Sequence, residues 1–484
     1  MSYQKFTKDI GMLSIVNLLT ALKGLIILPL ITKLLGAESY GIWTQIIVTI
    51  SLVTPIAILG LPYTLIRYLA AEKNKKEIQE GVYSVFVLIL AICLIITIFL
   101  FIFSKPIAKF FEGEQILVQI LALTIIFECL NWVFLNFFRA FQKMGEYSLF
   151  VLLQVFGEVG LIISGVLLGQ GLFGAVLALL VVRAFSFLLM GTVIVKRIGI
   201  KIPNFSKIRE YLSFGLPTVP GNISYWIVSS SDKYLIAFFW GALFVGYYAP
   251  AYSIGGIIVF FITPLLLVLP AVLSKFFDEN KIEEVKIYLR YSLKYFLMIA
   301  IPAVCGLSIL SKQLLIIFST KEIAEQSYLV VPWAALSLLL FGVYAIVVQI
   351  ISLFKKTKAV AVIWTMAAFL NLGMNIILIP KLGILGAAIT TLSSYILALG
   401  STCYYSFKFL KFEIEWISIL KIIIASIIMS VFVFSAQPAR LLEILTVIAA
   451  AALLYGVLIF LLKGFSKKEI AFFKNFFYFL YSGK

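Results

Sequence analysis

The sequence predicts an all-α polytopic membrane protein with fourteen transmembrane helices, built as two parallel six-helix lobes followed by two further helices. Three observations predict it. The 484 residues are 63% hydrophobic and only 13% charged, too little polar surface for a soluble chain of this length. Lys and Arg alternate in abundance between successive connections. Short motifs recur roughly 205 to 212 residues apart, each in the same place in its half.

Apolar runs of about 20 residues mark the spans. In chain order they cover residues 10–34, 41–66, 82–104, 116–138, 147–168, 171–195, 211–240, 244–274, 287–317, 326–353, 359–379, 384–407, 415–435 and 441–462. The first run is too long for a signal-peptide core and has no small-residue cleavage site, so no cleaved leader is expected. With a cytoplasmic N-terminus, connections on the inner side hold 27 Lys and Arg against 7 outside. That bias predicts both termini in the cytoplasm, and it accounts for most of the +17 net charge without nucleic acid.

The repeat fixes the domain plan. LGAESYGIW around Gly36 and Gly41 matches WGALFVGYY around Gly241 and Gly246. GLFGAV from Gly171 matches GILGAA from Gly383, and the FQK at Phe141–Lys143 falls opposite the LFK at Leu353–Lys355. Six spans repeat in one orientation, which places a pseudo-two-fold axis along the membrane normal and a site between the halves. The expected divisions are a first lobe over 1–195, a basic connector over 196–210, a second lobe over 211–410, two extra helices over 411–463, and an amphipathic cytoplasmic tail over 464–484.

The stretch from Gly215 to Gly241 opens the second lobe. Pro217, Pro220 and Gly221 interrupt its start, and Asp232 and Lys233 lie among its apolar residues. A charge at mid-membrane costs roughly 2.5–3.5 kcal/mol on insertion scales, so it needs a partner or a water-filled cavity. Broken helices need the same support. Lys23 lies mid-span in the first helix, and Glu128, Glu158 and Arg183 near the middle of the fourth, fifth and sixth. Glu128 or Glu158 paired with Arg183 would hold the first lobe together, whereas Lys23 and Asp232 open their lobes and are expected in a cavity. Arg67 and Lys294 lie nearer the cytoplasmic side, where long side chains snorkel. Asn222, Tyr225 and Trp226 suit a sugar, through hydrogen bonds and ring stacking.

Other chemistry is scarce. The chain has no histidine, so ion-coupled proton transfer would fall to Asp, Glu or Tyr. Its four cysteines lie in apolar runs without metal-ligand spacing. Walker A and Rossmann patterns are absent, and the longest connections span only around 15 residues.

Four stretches, LPLITKLLGAESYGIW, GLPYTLIRYLA, SSSDKYLIAFFWG and NIILIPKLGILGAAI, resemble the polysaccharide transporter family over essentially the whole chain. These are the Wzx-type oligosaccharide-lipid flippases of the multidrug/oligosaccharidyl-lipid/polysaccharide exporter superfamily, in short MOP. The resemblance implies a V-shaped pair of lobes in the inner cell membrane. It implies alternating access that moves a polyprenyl-(pyro)phosphate-linked oligosaccharide to the outer leaflet, either passively or coupled to H+ or Na+. No cofactor is expected. A polymerase and glycosyltransferases of the same pathway are the candidate protein partners. Lys23, Arg67, Arg183, Asn222, Tyr225, Lys233 and Lys294 are the expected substrate residues, and Asp232, Glu158 and Glu128 the coupling candidates. A drug/cation antiporter of the same fold, or a membrane polymerase or ligase, are the alternatives. Cationic residues facing the lobe interface would favour an anionic ligand over a drug cation.

Overall fold

The computed structural model describes residues 3–465 except 71 and 73, together with residue 469; residues 3–10 are described by their backbone alone. The predicted amphipathic tail therefore lies outside the described residues, apart from Gly464, Phe465 and Glu469. Every regular element described is helical. The first lobe comprises α1 (Tyr3–Ile58), α2 (Leu61–Leu69), α3 (Lys75–Ile102), α4 (Ser104–Phe111), α5 (Gln115–Ala140), α6 (Met144–Leu167) and α7 (Gly171–Ile198). The second comprises α8 (Ile208–Gly215), α9 (Val219–Trp240), α10 (Ala242–Gly255), α11 (Val259–Asp278), α12 (Ile282–Ile309), α13 (Ser311–Phe318), α14 (Lys321–Ser327), α15 (Val330–Leu353), α16 (Thr357–Leu382) and α17 (Ile384–Ser406). Helices α18 (Trp416–Ala436) and α19 (Leu441–Leu461) follow.

Twelve described helices or helix pairs are long and apolar enough to cross a membrane. One of them, Gly11–Ile58, is 48 residues long and changes direction at Gly36, so it supplies two crossings. Helix α9 is 22 residues long but carries a serine run, Asp232 and Lys233, which lower its hydropathy. With both counted, the described helices are consistent with the fourteen spans read from the sequence. Outward faces are apolar, with Ile98, Phe99, Phe434 and Leu453 all exposed, as lipid contact requires.

The repeat is written into the backbone. Gly36 breaks α1 at φ 87°, ψ 175°, and Gly241 separates α9 from α10 at φ 86°, ψ 174°. Only glycine occupies that region without strain. Helices α4 and α13, eight residues each, both follow a long helix of 28 residues, α3 and α12, a correspondence that residue matching did not reveal. Helix breaks differ in detail from the expected spans. The seventh span is α8, a 3-10 turn over Leu216–Thr218, and α9, so the interruption lies just before Pro220, which sits in the first turn of α9. The eighth is likewise α10 and α11 joined through a 3-10 turn.

Buried apolar side chains form one cluster centred in the first lobe, around Leu121, Ile125 and Phe138, that reaches Tyr211, Ala242 and Ala249 of the second. A second lies in the second lobe around Phe296, Ile350 and Ala367. Between the lobes, contact is made at both ends. At the end away from the connector, Gly41 and Gly246 bring α1 and α10 backbone to backbone: a Cβ on Gly41 would stand 1.9 Å from the Ala242 carbonyl oxygen, and one on Gly246 1.8 Å from that of Ala37. Glu112, ending α4, accepts a 2.7 Å hydrogen bond from Ala242 N–H and so caps α10 across the interface. At the connector end, Gly60 and Gly215 touch in the same manner, and Tyr68 of α2 packs on Tyr211 of α8 with ring centroids 5.2 Å apart.

Candidate functional site

Two connected chambers lie between these end contacts. They share Ser51, Thr54 and Pro55 from α1 and Trp132 from α5. The first, about 350 Å³, is bounded by Lys23, Glu128, Glu158 and Arg183. The second, about 340 Å³, is bounded from the other lobe by Asn222, Tyr225, Trp226, Ser229 and Ser230 of α9.

Four helices bring the charged wall together. Glu158 of α6 is fully buried. Its Oε2 stands 2.5 Å from Lys23 Nζ of α1 and its Oε1 2.7 Å from the Arg183 guanidinium of α7. Arg183 also faces Glu128 of α5 at 2.5 Å and donates a 2.8 Å hydrogen bond to Gln154 Oε1. Trp132 Nε1 donates to Glu128. The two cations and two carboxylates sum to zero, which is how a lobe can bury four charges in a low-dielectric bundle. Both glutamates pair with Arg183, so the expected structural pairing is present. Arg183 and Lys23 nonetheless remain on the chamber wall, partly accessible.

The opposite wall is aromatic and hydroxylic. Trp226 donates a 2.9 Å bond to Ser51 Oγ across the lobe interface, and Tyr234 and Thr49 pair through their hydroxyls. Tyr225 packs edge-on against Trp364. Such a surface offers ring faces and short polar groups side by side, the combination that stacks and hydrogen-bonds a sugar.

Of the residues singled out from sequence, Lys23, Glu128, Glu158, Arg183, Asn222 and Tyr225 converge on the chambers. Four lie elsewhere. Arg67 is exposed in the last turn of α2. Lys294 is buried in a cluster with Glu415 and Glu469. Asp232, expected in a cavity, and Lys233, expected at the substrate, are both buried inside the second lobe, where they pair with each other at 2.8 Å. Sequence reasoning did not single out Ser51, Thr54, Trp132 or Gln154. Each is a common side chain in an apolar helix, and nothing in its neighbours distinguishes it. Among the described residues no cluster of His, Cys, Asp and Glu could hold a metal ion.

A family model described as polysaccharide biosynthesis protein matches residues 6–277, and a second, MatE, matches residues 217–377. The chain is similar to the probable low-salt glycan biosynthesis flippase Agl15 of Haloferax volcanii, 24% identical over 371 residues covering 74% of this chain and 77% of that protein. In fold it is similar to the lipid II flippase MurJ in an inward closed conformation, with TM-score 0.76 and 20% identity over 93% of this chain and 98% of that one. An inward-facing multidrug resistance MATE family transporter of the MOP superfamily gives TM-score 0.67 and 18% identity, over 81% of this chain and 94% of that one.

Proposed function

This chain belongs to the polysaccharide biosynthesis protein family, and from that premise we propose that it is a flippase of the MOP superfamily for a polyprenyl-(pyro)phosphate-linked oligosaccharide. It is a multi-pass membrane protein whose relatives are flippases and transporters, and its role is transport. The observation that carries the reading is the composite chamber: guanidinium and ammonium on one wall, Asn222, Tyr225 and Trp226 on the other. A (pyro)phosphate needs the first and a glycan the second. The phosphate could not cross hydrocarbon unaccompanied, and Arg183 offers it a planar, doubly donating partner. The prenyl chain would stay in lipid beside the lobes.

Loading requires Arg183 to exchange Glu128 for phosphate. Glu128 is the more accessible of its two carboxylates, at 18% side-chain exposure against 1% for Glu158. Alternating access then follows from making and breaking the end contacts in turn. We place the protein in the cytoplasmic membrane with both termini inside, carrying its substrate outward. The divisions at 1–195, 196–210, 211–410 and 411–463 serve as first lobe, connector, second lobe and added helices. Arg67, in its exposed position, would meet the phosphate on approach from the inner side. A polymerase and glycosyltransferases of the pathway are its natural neighbours.

The MatE match over residues 217–377 favours a second reading, a drug/cation antiporter. One experiment separates the two. Reconstituted into liposomes, the protein should move a fluorescent polyprenyl-pyrophosphate oligosaccharide between leaflets, with Arg183→Ala and Lys23→Ala each reducing the rate at least about tenfold, the loss of roughly one charge-assisted hydrogen bond. Efflux of a lipophilic cation without lipid flipping would favour the antiporter.

A further inference from the structure

Asp232 is wholly buried, yet it borders neither chamber. A carboxylate in that position must be neutralised by a proton, a bound cation or a fixed partner. Here the partner is the next residue in the chain. Lys233 Nζ stands 2.8 Å from Asp232 Oδ1 and 3.1 Å from the Ser229 carbonyl oxygen. It also lies over the Tyr252 ring at 4.4 Å from the centroid, with Tyr248 at 5.5 Å. Two donors therefore meet oxygen and the remaining face of the ammonium meets an aromatic quadrupole. The other carboxylate oxygen, Oδ2, accepts from the Tyr248 hydroxyl.

The surroundings are rich in oxygen. Ser231, next to Asp232, donates to Asn371 Oδ1, which also accepts from Asn375. Asn375 Oδ1 and Thr390 Oγ1 are buried without a hydrogen-bond partner. A carboxylate, amide oxygens and a hydroxyl are the hard donors that suit an alkali or other hard cation.

We propose that Lys233 is the built-in counter-cation of this pocket: its ammonium takes the place beside Asp232 that a sodium ion would otherwise fill, so Asp232 holds no exchangeable cation. Adjacent residues on a helix point about 100° apart, so the pairing requires the lysine stem to fold back toward Ser229. Because both partners belong to one helix, the pair does not depend on how α9 moves against its neighbours. A sodium gradient then has nothing to act on at Asp232. The inference concerns cation binding and does not depend on the identity of the transported substrate.

The test is made on the purified full-length protein in detergent, with sodium against choline at equal ionic strength, reading both radioactive-sodium binding and Tm. Wild type should bind no sodium at this pocket and show the same Tm in both salts. Lys233→Ala should bind sodium and show a Tm that rises with sodium concentration, as mass action requires of a site present only in the folded state. The added substitution Asp232→Asn should abolish both gains. Saturable sodium binding by wild type that is lost in Asp232→Asn would overturn the proposal, as would a folded Lys233→Ala protein that binds none. Should Lys233→Ala not fold, the wild-type comparison with Asp232→Asn decides alone: absence of Asp232-dependent sodium binding supports the built-in cation, and its presence refutes it.

Discussion

Gly41 and Gly246 occupy equivalent places in the two lobes, and each presses on the partner lobe's backbone, Gly41 on the Ala242 carbonyl and Gly246 on that of Ala37. Ala37 and Ala242 are themselves equivalent, so the contact is reciprocal about the pseudo-two-fold axis, like an isologous interface within one chain. No side chain fits in the gap. Gly246→Ala should therefore force the lobes apart at this end while leaving the connector end closed. Spin labels across each end would read it: the distance near Gly41 and Gly246 lengthens, and the one near Gly60 and Gly215 does not. Gly60→Ala should give the opposite pattern, because its Cβ would stand 2.6 Å from the Gly215 carbonyl oxygen. Equal changes at both ends in either variant would show that these glycines do not act as separate gates.

The two glutamates on Arg183 should behave differently. Glu158 is buried between two cations, so Glu158→Gln leaves both underneutralised and should destabilise the protein by about 3–5 kcal/mol, seen as a lower Tm. Glu128 faces the chamber. Glu128→Gln should keep the fold and tighten binding of a polyprenyl pyrophosphate several-fold, because Arg183 loses a competitor for the phosphate. Calorimetric titration checks this, and weaker binding in Glu128→Gln would mean that the carboxylate itself contacts the substrate.

Orientation is open to direct chemistry. In a background with Cys93, Cys129, Cys305 and Cys403 replaced, Asn74→Cys and Pro203→Cys should resist an impermeant thiol reagent applied to intact cells. Lys321→Cys should react. The expectation follows from the Lys and Arg distribution. Labelling at residue 74 from outside would invert the topology.

Glu415 ties the connection after α17 to α12. It meets Arg290 at 2.7 Å and Lys294 at 2.9 Å. Partial burial alone would raise its pKa, but hydrogen bonds from Ser418, Lys294 and Arg290 outweigh it and hold the carboxyl at about 2, below its ordinary 4.5. A carboxylate with a lowered folded-state pKa stabilises above its unfolded value and loses that contribution as pH falls through the folded one. The difference in Tm between wild type and Glu415→Gln should thus be constant at neutral pH and shrink between about pH 4.5 and 2. A difference that grows on acidification would contradict the assignment.

The sequence by itself determined everything that depends on local composition or on period. Apolar runs gave the helices, because a backbone in lipid must satisfy its own hydrogen bonds. Gly36 and Gly241, matched by motif, mark breaks where only glycine tolerates the torsion angles. Lys23, Glu128, Glu158 and Arg183 were conspicuous because charge is rare and costly within a span. Their tight mutual pairing was only partly legible: four helices distant in sequence must pack before one carboxylate can serve two cations.

What only tertiary structure decided is which charges face a chamber and which are consumed in packing. Lys294 and Lys23 are both lysines within predicted spans, yet Lys294 is spent on Glu415 and Glu469, while Lys23 remains on a chamber wall. From the sequence, Asp232 read as a coupling group in a cavity and Lys233 as a substrate residue, because helical geometry directs neighbours apart. The fold-back of the lysine over Tyr252 joins them instead. Trp132 and Ser51 come to line the chambers only when α5 and α1 enclose the same space. Burying a charge requires a partner, and the choice of partner is a property of how helices pack, which no single stretch of chain encodes.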